Sequence, residues 1–220
     1  DSKSQQPVSV IPPEFTGTPL SNFLPATQSE VEKLIKQSSS ASSSLDPLPT
    51  SVLKASLQSL YPVKIEIFNR SLSSGTFLKA YKHAIVRPLL KKPSLDQNII
   101  KNYPPVSNLA FVSKIIEKAA ISQLNDHISK NNLDEPLQSA YRKQHSVETA
   151  LVKVYDDKHC AVDEGKCVMV VLLDLSAAFD TVNTSILVDR MEKSFGIGQN
   201  PLNWIKSYFE KSQFECWNGW

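Results

Sequence analysis

Val168-Met169-Val170-Val171-Leu172-Leu173-Asp174-Leu175-Ser176-Ala177-Ala178-Phe179-Asp180 is the stretch on which the fold turns. Six consecutive apolar residues, three of them valines, lie between Gly165-Lys166 and a small-residue turn. That pattern predicts a strand buried on both faces. Such a strand carries Asp174 to its carboxyl end, where α/β active sites gather their polar groups. A structural use competes with a catalytic one, because Asp is a favoured helix N-cap and a helix can begin near Ser176 or Ala177. On spacing alone the two stand level.

Working outward, residues 1 to about 24 carry prolines and polar residues without periodicity and read as linker. Thr27-Gln28-Ser29-Glu30 is a capping-box pattern ahead of Val31, Leu34 and Ile35, which share one helical face. Residues 38–44 are almost all Ser, and Asp46-Pro47-Leu48-Pro49 then stops any helix. Leu53, Leu57 and Leu60 share a face, and Ile65, Phe68 and Leu72 share another that Gly75 closes. Ile116, Ala120, Leu124 and Ile128 recur every four residues, predicting one packed helix that ends near Asn131-Asn132. A further helix is predicted from Ser146 to Gly165. After the strand come a helix ending near Phe195-Gly196 and another opened by Pro201, with Leu202, Ile205, Tyr208 and Phe209 inward. The chain thus divides into a linker with one short helix over 1–45, a helix-rich region over 46–166 and a strand-and-helix region over 167–220.

The bulk composition is compatible with this and excludes several classes. With 220 residues, 41% of them hydrophobic, the chain can bury one or two cores. A net charge of +2 leaves any nucleic-acid affinity to local clusters. Cys160, Cys167 and Cys216 form no metal-binding pattern, and an odd count argues against a disulfide framework, so reduced intracellular thiols are expected. No apolar run reaches membrane-spanning length and no leader pattern is present, so neither membrane insertion nor secretion is expected. The first residue is Asp1, which fits a piece of a longer reading frame or a processed product.

Leu173-Asp174-Leu175-Ser176-Ala177-Ala178-Phe179-Asp180-Thr181-Val182 resembles the first catalytic block of reverse transcriptases from non-LTR (LINE-type) retrotransposons, which reads close to LDLSKAFDTV. The resemblance continues in the family's own order from about Leu45 to Phe209. His83-Ala84-Ile85-Val86-Arg87-Pro88-Leu89-Leu90-Lys91-Lys92-Pro93 resembles its fingers strand, and Asn102-Tyr103-Pro104-Pro105-Val106-Ser107 its NYRPIS segment. Ser113-Lys114-Ile115-Ile116-Glu117-Lys118 follows at the matching place. Gln138-Ser139-Ala140-Tyr141-Arg142-Lys143-Gln144-His145-Ser146 resembles its Q-x-GFR-x-G-x-S element.

What the resemblance implies is an α+β fold: helix-rich fingers over 46–166 followed by the start of a polymerase palm over 167–220, an incomplete right-hand fold. It implies RNA-directed DNA polymerase activity, in which two Mg2+ ions activate a primer 3′-hydroxyl and neutralise the leaving pyrophosphate. RNA template, DNA primer and deoxynucleoside triphosphates are the implied partners. Asp174 would hold metal together with the Leu175 backbone carbonyl, Arg142 and Lys91 would grip the nucleotide, and Phe179 would exclude a 2′-hydroxyl by volume. Phe179 also has an ordinary use as a core ring at a strand-helix junction, and the chain by itself does not separate the two. Lys79 and Lys82 are read as solvated surface, His145 as a hydrogen-bonding residue at the start of a helix, and Asp180 as a structural or capping carboxylate. The family further implies a longer polyprotein with an upstream endonuclease and an intracellular site, nuclear or cytoplasmic.

Several departures bear on activity. The family's second acidic block, an F/Y-A-D-D hairpin after the first, has no counterpart in these residues. Tyr155-Asp156-Asp157 lies upstream of Asp174 among helically spaced apolar residues and reads as a helix turn, with Tyr155 partly buried and the aspartates solvated. Pro104 stands where NYRPIS has Arg, and Ala140 where the later element has Gly. A truncated polymerase domain, inactive by itself, is therefore the expectation. One alternative is a catalytically inactive retrotransposon remnant with weak nucleic-acid binding. Another makes Asp174 the nucleophile of a metal-dependent phosphatase, a pattern that requires a second Asp where Ser176 stands.

Overall fold

Local chemistry sets most element boundaries. In the computed structural model, which describes residues 13–39, 45–46, 48–88, 90–99, 102–103, 105–175, 178, 181–210 and 214–216, helices α1 to α7 span Gln28–Gln37, Thr50–Ala55, Leu57–Ser74, Phe111–Lys130, Val147–Asp163, Thr184–Lys193 and Gln199–Phe209. Strands β1 to β3 span Ala84–Pro88, Pro105–Leu109 and Phe214–Cys216. Thr27 caps α1 in a full capping box with Glu30, and Ser146 caps α5 in a reciprocal exchange with Thr149. Gly75, at φ 61°, closes α3 by passing its N–H to Leu72 and that of Thr76 to Ser71. Gly165, at φ 75°, closes α5 in the same way, with Lys166 N–H on Ala161 and its own on Val162. Both are Schellman closures that need a left-handed residue.

The sheet has the order β2-β1-β3. β1 and β2 are antiparallel, with Val86 opposite Ser107, while β3 runs parallel to β1, with Ile85 opposite Glu215. Helices dominate the described residues and the strands form this one sheet, which is α+β in the coarse sense. None of the helices among the described residues is long and apolar enough to cross a membrane.

Two compact units are present: Asp1–His127 with Thr184–Trp220, and Ile128–Asn183. The first contains the core, in which Val31, Ile35, Phe68, Leu72, Phe77, Ile115 and Ile116 are all but inaccessible. Trp204 is its hub. The indole N–H donates to Ser71 Oγ at 3.1 Å. The ring meets Phe23 and Phe77 edge-on at 5.9 and 5.3 Å and lies parallel to Tyr208 at 5.7 Å, geometries that suit the ring quadrupoles. Sequence periodicity had placed Phe209 inward, but it is exposed, because Trp204 occupies the inner face of α7 with Leu202 and Ile205.

The second unit contrasts with this. The chain from 167 to 175 has no helix or strand, and the strand expected over its apolar run does not form. Backbone groups of a strand need a neighbouring strand to bond with, and the sheet β2-β1-β3 does not include this run. Its side chains are consequently uncovered, with Met169, Leu172 and Leu173 each more than 85% exposed. The expected partial burial of Tyr155 also fails, since no residue of α5 is buried and Tyr155 is 63% exposed.

Two further expectations change. Residues 13–26 do lack regular structure, yet Phe23 and Ala26 are buried in the core of the first unit. Lys82 is not solvated. It is 7% exposed, and its ammonium donates to the carbonyls of Ser207 and Glu210 at the end of α7. A cation satisfies both the free carbonyls and the negative end of a helix.

Candidate active site

Asp174 lies in the irregular stretch of the second unit, exposed to solvent, with no hydrogen bond or ion pair to another described residue. The next helix, α6, begins only at Thr184. Among the described residues, then, the carboxylate caps no helix. Leu175, whose backbone carbonyl was assigned to the same metal, is 77% exposed. Phe179 and Asp180 lie outside the described residues, as does Pro104. No three of His, Cys, Asp or Glu converge among the described residues.

Arg142 sits in the same unit, in the turn-rich connection between α4 and α5. Its guanidinium Nη1 donates to the carbonyls of Glu135 at 3.2 Å and Pro136 at 3.4 Å. Gln138 Nε2 donates to the Ala140 carbonyl at 3.2 Å. These bonds shape the loop and leave Arg142 half exposed, with donors to spare, since a guanidinium has five. Two residues near it have left-handed backbones, Tyr141 at φ 61° and Gln144 at φ 64°. Non-glycine residues there cost on the order of 1–3 kcal/mol and cluster at functional loops. Gln144 is informative because the resembling element Q-x-GFR-x-G-x-S has glycine at that position. The backbone keeps the conformation that glycine would adopt freely, and the side chain bears the strain. The glycine in the pattern was the available signal, and attention to Ala140 alone missed it. His145 makes a hydrogen bond at the entry to α5, as expected: its Nδ1 contacts the Lys143 carbonyl at 3.0 Å, one residue before the cap Ser146.

Tyr155-Asp156-Asp157 lies within α5, as its spacing predicts. Lys153 pairs with Asp157 one turn on, and Tyr155 packs on His159 with ring centres 4.2 Å apart. Asp156 is exposed, and the other groups are spent on the helix's own surface.

Lys91 belongs to the first unit, in the connection from β1 to β2. Its backbone N–H donates to the Asn102 carbonyl at 2.9 Å while its side chain is exposed. Asn102 Nδ2 donates to the Asp96 carbonyl at 2.8 Å and Tyr103 Oη to the Gln97 carbonyl at 3.0 Å. The loop is thus cross-tied, and the ammonium of Lys91 projects from a braced backbone.

The chain belongs to the reverse transcriptase (RNA-dependent DNA polymerase) family, which it matches over residues 90–220. It is also similar to the probable RNA-directed DNA polymerase from transposon BS of Drosophila melanogaster, with 27% identity over 202 residues covering 90% of this chain. It spans 22% of that protein's length. Reverse transcriptases act on nucleic-acid templates with nucleotide substrates and use divalent metal ions.

Proposed function

We propose that this chain is part of the RNA-directed DNA polymerase of a non-LTR retrotransposon, with a fingers-like region over 46–166 and the start of a palm over 167–220. The observation that carries the reading is the exposed carboxylate of Asp174, ending an apolar run within the segment matched by the reverse transcriptase family. Asp174 and the Leu175 carbonyl are its metal ligands, and Mg2+ is the ion that an all-oxygen donor set favours. When bound, a pair of such ions activates the primer hydroxyl and neutralises the departing pyrophosphate. Arg142 and Lys91 supply positive charge for the triphosphate, and Phe179 selects deoxynucleotides by its volume.

The unpaired state of residues 167–175 supports one narrower statement. A carboxylate must be held to within about 0.5 Å to position an ion for catalysis, and an irregular, exposed segment does not do that. These 220 residues alone are therefore inactive, and the same peptide within a longer polypeptide that pairs this run is active. The test is primer extension on an RNA template by the longest polypeptide carrying the segment, as wild type and as Asp174→Ala. Incorporation by the wild type and none by the variant supports the reading. Synthesis that survives the substitution removes Asp174 from the site.

A further inference from the structure

Residues 13–26 precede the region matched by the reverse transcriptase family and are held as a bound peptide is held. Apart from a single bridge between Leu20 and Ile197 they have no regular structure, yet their backbone is gripped on two sides. On one side two carboxamides each pair with both backbone groups of one residue. Asn69 of α3 accepts the Ala26 N–H at 2.8 Å and donates to the Ala26 carbonyl at 3.4 Å. Gln123 of α4 accepts the Leu24 N–H at 2.8 Å and donates to the Leu24 carbonyl at 2.9 Å. A side-chain amide used in this way stands in for an adjacent strand, which presents the same donor and acceptor.

On the other side the strap meets the turn between α6 and α7. Leu20 N–H reaches the Gly196 carbonyl at 2.8 Å, Gly198 N–H reaches the Leu20 carbonyl at 3.0 Å, and Asn200 N–H reaches the Ser21 carbonyl at 3.2 Å. Gly196 has φ 64°, and a Cβ there would come within 2.1 Å of the Phe15 ring, so this turn is shaped to the strap. Anchors and spacers alternate along it: Phe23 and Ala26 are buried while Leu24 between them is 70% exposed. Main-chain bonds for affinity and pockets for selected side chains are how an extended peptide is recognised.

We propose that α3, α4 and the α6–α7 turn form a groove for an extended peptide, and that residues 13–26 are its occupant in cis, with Phe23 as the anchor beside Trp204. The strap is a clasp that leaves and returns as a unit. Only Phe23 and Ala26 of the strap are buried, and its Leu24–Gln123 bonds are exposed, which puts such a segment at the low-stability end of a fold. While seated, it ties the turn that opens α7 to α3 and α4.

Hydrogen exchange on the full chain across a denaturant series tests this. The amides of Leu20, Leu24, Ala26 and Gly198 are expected to exchange together, at lower denaturant than those in the middle of α3 and α4. Gln123→Ala is expected to lower the protection of the distant Leu20 and Gly198 amides about tenfold along with that of Leu24. Exchange of the strap only with global unfolding, or a Gln123→Ala effect confined to Leu24, overturns the clasp. A labelled peptide of residues 13–26 gives an independent readout: full-length Phe23→Ala, whose own occupant is weakened, should bind it more tightly than the wild type, and Phe23→Ala/Gln123→Ala less tightly than Phe23→Ala. Folded Phe23→Ala that binds no peptide also overturns it, and if that variant does not fold the exchange pattern of the wild type decides.

Discussion

The Tyr208 hydroxyl donates to Glu117 Oε1 at 3.3 Å, joining α7 to the middle of α4 beside the ring cluster of Phe77 and Trp204. Burial pushes the Glu117 carboxyl above its ordinary 4.5, and the bonds from Tyr208 and Ser113 only partly oppose this. Burial, reinforced by the Glu117 charge and hydrogen bond, pushes Tyr208 from 10.0 up to about 12.

A pH dependence follows from these directions. A folded-state pKa above the unfolded value means that the folded chain holds the proton more tightly, so the contribution of Glu117 is fully present below pH 4.5 and is lost as pH rises through its raised pKa. Glu117→Gln, which keeps the acceptor and removes the charge, should gain stability relative to the wild type between about pH 4 and pH 7. Urea denaturation at both pH values measures this, and a difference that does not change with pH would refute the assignment. The contribution of Tyr208 is present below pH 10.0 and lost toward about pH 12, so Tyr208→Phe should blunt alkaline unfolding and cost about 0.5–1.5 kcal/mol at neutral pH.

Gln144 is strained where glycine would not be. Gln144→Gly should stabilise the chain by about 0.5–1 kcal/mol, the relief of the left-handed side chain exceeding the extra freedom glycine gives the unfolded state. A control at His145, a neighbour outside the left-handed set, should show no such gain. Equal or lower stability of the glycine variant, read from denaturation midpoints, would show that the loop relaxes around Gln144 at no cost.

Lys82 secures the end of α7 from a buried position. Lys82→Met keeps the apolar stem and removes the donor, and should cost about 1–3 kcal/mol. Faster amide exchange in the last turn of α7 should accompany the loss. A neutral result would make the ammonium incidental to that helix end.

Asp174 is exposed and makes no hydrogen bond or ion pair to another described residue. Asp174→Ala should leave the unfolding free energy of this chain within about 0.5 kcal/mol of the wild type, while abolishing incorporation in any longer polypeptide that shows it. There, Phe179→Val should relax discrimination against ribonucleotides. Unchanged sugar selectivity in single-nucleotide incorporation would return that ring to a packing role.

The sequence by itself determined several helices and their ends, though not the start of α6, which begins at Thr184 rather than near Ser176. Thr27 with Glu30, Gly75 and Ser146 act on backbone groups within five residues of themselves, and the four-residue recurrence through Ile116 and Ala120 lies within α4. Ordered blocks of residues also carried the family and pointed to Asp174, although its role remains a proposal. Tertiary structure alone decided the rest: that the run before Asp174 is not paired, that Lys82 is buried, that Trp204 is the hub, and that residues 13–26 are strapped into the core. Each of these depends on a partner far away in the chain, as in the bond of Trp204 to Ser71 across 133 positions or that of Leu24 to Gln123 across 99. Local preference fixes which conformation a segment favours, but whether it is covered depends on what the rest of the chain brings beside it.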